Sequence, residues 1–233
     1  MREEEKNLYR EIRSFKRWAE KYYPDRDEEN DNGEWEIGTD NHFDEMVDAA
    51  LKVIENINSS DAGEDLIEAL LFSIARDNEC ERLADELRNH EDWFELLAGK
   101  SLGTKYINAQ WQLAKRVGEF ENCKELIYKF IESDNEYTSR MSLQALAEID
   151  PERAEEYAIN FWNRGKYPEG SYEDEYQKIM ALHVLYSIGS DKLAEYREKA
   201  LVSPYKWLKA NAEQMVCFAK QQDGDHSRKG GAP

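Results

Sequence analysis

Nine carboxylates crowd a short stretch of this chain: Glu28, Glu29, Asp31, Glu34, Glu36, Asp40, Asp44, Glu45 and Asp48. Carboxylates at that density can accept charge-assisted hydrogen bonds from lysine and arginine, and they repel one another until a cation relieves them. Trp35 stands among them, a residue type that carries binding energy at the centre of protein interfaces. Over residues 27–75 fifteen acids face a single base, Lys52. These nine acids and Trp35 form the candidate partner-binding set, and the partner they call for is a basic protein.

Other chemistries find less support. The loop Glu28-Glu29-Asn30-Asp31-Asn32-Gly33 places oxygen donors before a glycine at the sixth position, as a calcium loop does. Glu28 stands where such a loop has Asp, however, and its twelfth position is Thr39 rather than Glu. His42, His90, His183 and His226 are scattered, and His183 lies between Leu182 and Val184, where packing or surface exposure is the expected role. Cys80, Cys123 and Cys217 are odd in number and widely spaced, which offers neither a disulfide framework nor a CxxC site. The sequence holds no HExxH, GxSxG, GxxxxGK[ST] or strand-borne GxGxxG pattern. The reading is therefore non-catalytic, with no metal and no cofactor.

Net charge is −19, and residues 1–100 contribute most of it, with 29 acids against 13 bases. Direct nucleic-acid binding needs clustered Lys and Arg on one face. The only basic stripe, Lys6, Arg10, Arg13, Arg17 and Lys21, is diluted by Glu3, Glu4, Glu5, Glu11 and Glu20. No run approaches the roughly 18 apolar residues of a membrane span, and the N-terminus has no apolar signal core. A cytoplasmic location is expected.

The elements that must position these residues are helices, since apolar residues recur at three- and four-residue intervals almost throughout. The first helix runs from about Glu3 to Tyr22 with Leu8, Ile12, Phe15, Ala19 and Tyr22 on its apolar stripe, and Pro24 ends it. A second begins near Asp40 and presents Phe43, Met46, Val47, Ala50, Leu51 and Ile54. Asp61 with Glu64 three residues on reads as a capping box for a third, strongly apolar helix. Leu83 and Leu87 mark one short helix beyond it, and Trp93, Phe94, Leu96 and Leu97 another. Helices are then expected at 104–117, 122–133, 136–149, 151–164, 173–188, 191–201 and 205–221. The boundary at Asp150-Pro151 carries both an N-cap residue and a first-turn proline. Residues 1–221 read as one helical domain, acidic and irregular to about residue 100 and regular from 104, with 222–233 a disordered tail.

Residues 137–157 align without a gap on residues 176–196, at an offset of 39. Tyr137 matches Tyr176, Met141 matches Met180, Leu143 matches Leu182, Leu146 matches Leu185, Ile149 matches Ile188, and Tyr157 matches Tyr196. Weaker copies, YINAQWQLAKRVGEF and YKWLKANAEQMVCFA, lie on either side. Through Ser142-Leu143-Gln144-Ala145-Leu146 with Ile149-Asp150, and Ala181-Leu182-His183-Val184-Leu185 with Ile188-Gly189, the chain resembles the HEAT-like helical repeats. The resemblance covers roughly residues 104–221, and the insertion at 165–172 departs from it. It implies an all-α fold, a right-handed superhelix or solenoid of antiparallel helix pairs with about 10–12 helices and a concave binding face.

Small, acidic and motif-free, the chain also looks like the bacterial immunity proteins, which neutralise a cationic toxin, often a nuclease, by covering its active site. That likeness implies that the acids named above supply field and acceptors while Trp35 is the central anchor. Two other readings compete. One is a helical-repeat adaptor or assembly factor that binds a protein on its concave face. The other is a lyase or DNA-alkylation glycosylase, since some HEAT-like proteins excise alkylated bases. Trp111, Trp162 and Trp207 could line such a site with His183, but they sit at helix-packing positions and the net charge opposes a DNA-binding face.

Overall fold

The computed structural model describes residues 1–26 and 42–215. Helix α1 (Glu3–Tyr22) buries Leu8, Ile12, Phe15, Trp18 and Ala19 along one stripe, and Glu3, Glu4 and Glu5 complement the positive end of its dipole. Tyr22, expected on that stripe, is instead 53% exposed. Trp18 fills the end of the stripe, its ring 5.6 Å from Phe15 and 5.5 Å from Tyr23, and leaves Tyr22 on its outer side. Against α1 packs α2 (His42–Asn56), with Phe43, Met46, Val47, Ala49, Ala50, Val53 and Ile54 buried. Leu51, expected on the buried face, is only half-buried.

Helix α3 (Glu64–Arg76) buries Leu66 and Ile67, then every residue from Ala69 to Arg76. The expected capping box at Asp61 does not form. Asp61 ends a 3-10 turn, Ser59–Asp61, and pairs with Arg2 at 3.0 Å, while Glu64 reaches Lys100 at 2.5 Å. With both carboxylates drawn to cations elsewhere in the chain, Gly63 becomes the N-cap residue. The short helix α4 (Arg82–Glu86) follows, then α5 (Glu91–Ser101), α6 (Ile107–Arg116), α7 (Leu126–Ile131) and α8 (Glu136–Ile149). Both α3 and α5 pack on α6.

Beyond these lie α9 (Pro151–Asn163), α10 (Tyr172–Ser187), α11 (Leu193–Leu201) and a helix over 206–215, here α12. No strand occurs among the described residues, so the all-α expectation holds. The chain packs as two units, Met1–Ala145 and Leu146–Pro233. Within the second, α9 lies against α10.

The 39-residue offset aligns several positions of equal burial, although Tyr157 is half-buried where Tyr196 is buried. Leu143 and Leu182 are fully buried, as are Leu146 and Leu185, while Met141 and Met180 are both nearly so. Tyr137 and Tyr176 are instead both exposed. The two turns are built differently. Gly189, at φ +67°, closes α10 with a Schellman motif in which Ser190 N–H donates to Leu185 O at 2.9 Å and Gly189 N–H to Tyr186 O at 3.2 Å. Asp150 instead opens α9, its carboxylate accepting from Arg153 N–H at 3.1 Å beside the first-turn Pro151.

The 165–172 insertion is pinned rather than loose. Gly170 N–H donates to the Tyr205 hydroxyl at 2.8 Å, that hydroxyl donates to Asp174, and Ser171 caps α10 through Asp174 N–H. Buried Glu175 accepts from Trp207 N–H at 2.6 Å and Leu208 N–H at 3.0 Å, which satisfies the first turn of α12.

A Cβ at Gly189 meets no atom within 4 Å, so a substitution there strains only the backbone. Gly189→Ala should destabilise the protein by about 1 kcal/mol through the left-handed φ alone. Urea unfolding reads this as a lower midpoint with an unchanged slope. A neutral or stabilising result would mean that the Schellman turn relaxes.

Candidate functional site

Seven of the ten sequence-predicted site residues, Glu28, Glu29, Asp31, Glu34, Trp35, Glu36 and Asp40, lie outside the described residues, as does the calcium-like loop. The other three, Asp44, Glu45 and Asp48, are exposed on α2. Asp44 Oδ1 accepts from Arg82 Nη2 at 2.7 Å, and Glu45 lies 3.8 Å from the His42 ring. Spacings of four and seven residues place Asp44, Asp48 and Glu55 in one row along the helix. The apolar face of α2 is committed to the core, so this row is left facing outward.

Glu55 stands at the wall of a cleft of about 780 Å³ between the end of α2 and the start of α5. Its other acids are Glu91, Asp92 and Glu95, its amides include Asn56, Asn58 and Asn89, and its apolar lining comes from Ile54, Ile57, Trp93 and Leu96. No lysine or arginine lines it. Trp93 fixes the geometry, because its buried indole N–H donates to Ile57 O at 2.8 Å and ties α5 to the end of α2. An acid rim over an apolar floor suits a lysine or arginine side chain, which lays its aliphatic stem on the floor and its charge among the carboxylates. The same charge is felt at buried Cys123, whose thiol is pushed up to about 11 by burial and then by Glu95 and Glu91. Glu91, Asp92 and Glu95 are absent from the sequence-predicted set. Their signal is the run HEDWFE, where acids surround Trp93, but only the fold brings that run to Glu55.

A second polar cluster surrounds the end of α3. Asp77 is fully buried, and its Oδ2 accepts from Leu83 N–H at 2.8 Å, which caps the start of α4. Burial pushes its carboxyl up to about 6 against the pull of the Leu83 backbone donor and of Arg82. Gln112 Nε2 donates to Ile74 O at 2.7 Å. Buried Arg116 joins Glu81 and Asp85, each at 2.6 Å, and Glu81 holds the left-handed φ of +54° that turns the chain into α4.

The residues weighed for excision chemistry each have other partners or exposure. His183 is exposed and its Nε2 lies 2.8 Å from Asn211 Oδ1, whereas buried Trp111 donates to Asn108 at 3.0 Å. Trp162 is half-buried edge-on to Tyr196. Trp207, expected at a packing position, is 50% exposed. Glu175 holds its backbone N–H, and the Lys206 ammonium lies 4.7 Å from its ring centre. Among the described residues no group of three or more His, Cys, Asp or Glu is arranged to hold a metal ion. Compared with protein-family profiles, curated proteins and solved structures, the chain matches none.

The raised Asp77 carboxyl makes stability depend on pH with a definite sign. Between the ordinary 3.8 and about 6 only the native state keeps the proton, so the stabilisation is full at low pH and is lost as pH rises through about 6. Asp77→Asn keeps an oxygen for Leu83 N–H and removes the titration. Relative to wild type, its unfolding free energy should climb by up to about 3 kcal/mol between about pH 4 and pH 7. Parallel stability curves for the two proteins would contradict the assignment.

Proposed function

We propose that this protein is a non-catalytic binding module that captures a basic protein on the acidic surface of its Met1–Ala145 unit. The observation that carries the reading is the lysine- and arginine-free cleft of Glu55, Glu91, Asp92 and Glu95, joined through Glu55 to the acid row Asp44, Asp48 on α2. The sequence expectation adds the acids of residues 27–68, with Trp35 as an aromatic anchor. In its most specific form the proposal is an immunity protein: a helical-repeat, HEAT-like stack in the cytoplasm of a bacterium that neutralises a cationic, nuclease-like toxin by covering it. Steering by so acidic a surface gives fast association, and desolvated charge pairs hold the complex. No described helix is long and apolar enough to cross a membrane.

A second reading, a helical-repeat adaptor that binds through residues 104–221, draws on the exposed Tyr172, Tyr176 and Trp207. Aromatic side chains left at the surface are common anchors in protein interfaces.

Affinity capture from the source cell separates the two. Wild type should retain a basic protein at low salt and lose it at about 0.5 M salt, where the screening length falls to a few ångströms. A folded variant with Glu55, Glu91, Asp92 and Glu95 changed to Gln or Asn should lose it at low salt as well. Equal capture by both forms, insensitive to salt, would end the acidic-capture reading. Loss on changing Tyr172, Tyr176 and Trp207 to Ala would then support the adaptor.

A further inference from the structure

Arg82 stands between two carboxylates. Its Nη2 donates to Asp44 Oδ1 at 2.7 Å on the outer side of α2, while its Nε lies 3.9 Å from Asp77 Oδ1, beyond hydrogen-bond distance. Both the Nε and that Oδ1 are buried without a hydrogen bond. A buried donor and a buried acceptor that face each other unjoined are costly, and a small shift of the guanidinium would join them. The geometry fits a protonated Asp77, which needs no counter-ion and leaves the guanidinium to Asp44.

The surroundings hold the other charges apart from this pair. From α6, Lys115 and Arg116 both engage Glu81, at 3.1 and 2.6 Å, and Arg116 also engages Asp85 of α4. At the end of α3 the buried Arg76 guanidinium stacks on Phe72, 4.9 Å from the ring centre. Glu81 opposes ionisation of Asp77 and Arg82 favours it. Arg82 is thus the cation placed to respond.

We propose that Arg82 is a counter-ion shared between the surface and the core, paired with Asp44 while Asp77 holds its proton and drawn inward to Asp77 when that proton passes to solvent. The inward state uncovers Asp44 as an acceptor on the outer row of α2. Any effect on capture of a basic protein rests on the function proposed above. The coupling itself belongs to the free chain.

Carbon-13 NMR titration of the Asp77 carboxyl in the partner-free protein tests it. Asp44→Asn releases Arg82 and should move the Asp77 midpoint down by about one pH unit, the effect of an added nearby cation. Arg82→Gln should move the midpoint up. The double variant decides the mechanism, because Asp44 acts through Arg82: it should titrate with the midpoint of Arg82→Gln alone. Both sites are at least a third exposed, and the amide spectrum confirms that each variant is folded. An unchanged or raised midpoint in Asp44→Asn would overturn the proposal. So would a double variant that keeps the downward shift, since Asp44 would then act on Asp77 directly by its charge.

Discussion

From Ala69 onward helix α3 has no side open to water, so its C-terminal end, where backbone carbonyls lack helical partners, must be satisfied inside the protein. Each buried polar group left unpaired there would cost about 1–3 kcal/mol. Neighbouring helices and α3 itself answer part of this demand, while Asp77 Oδ1 and Gln112 Oε1 keep no hydrogen-bond partner. Gln112 of α6 donates to Ile74 O, Ser73 folds back on Ala69 O, and Asp77 turns outward to cap α4. Arg116, itself buried, donates to Gln112 O and reaches across to Glu81 and Asp85. The positions of α4 and α6 follow from how one apolar helix ends.

The acidic surface is a consequence of the same packing. Because α2 gives its apolar face to α1 and α3, the row Asp44, Asp48, Glu55 remains outside. Because Trp93 hydrogen-bonds Ile57 O, the first turn of α5 brings Glu91, Asp92 and Glu95 to the end of that row. Charge that is dispersed in the sequence thereby gathers around one cleft.

Helix positions and their apolar stripes were legible in the sequence because they follow from local periodicity. Pro151 and Asp150 marked the start of α9, and Leu143, Leu146, Leu182 and Leu185 marked core positions that are buried. What escaped was decided by long-range partners. Arg2 and Lys100 took the carboxylates of the Asp61/Glu64 capping box, and Trp18 displaced Tyr22 from the core. The cleft acids escaped for the same reason, since Glu55 and Glu91 are brought together only by tertiary packing. Asp77 was hidden most thoroughly, for Arg-Asp after an apolar helix reads as its exposed end. Here both residues are buried.

Native-state hydrogen exchange along α3 is the most direct measurement. If α3 is the fixed member of the Met1–Ala145 unit, the amides of Leu70 to Ala75 and of Asp77 exchange only through global unfolding. Their apparent free energies then fall with denaturant as steeply as equilibrium unfolding does. Exchange of these amides through a local opening insensitive to denaturant, with stronger protection in α1 or α2, would contradict it.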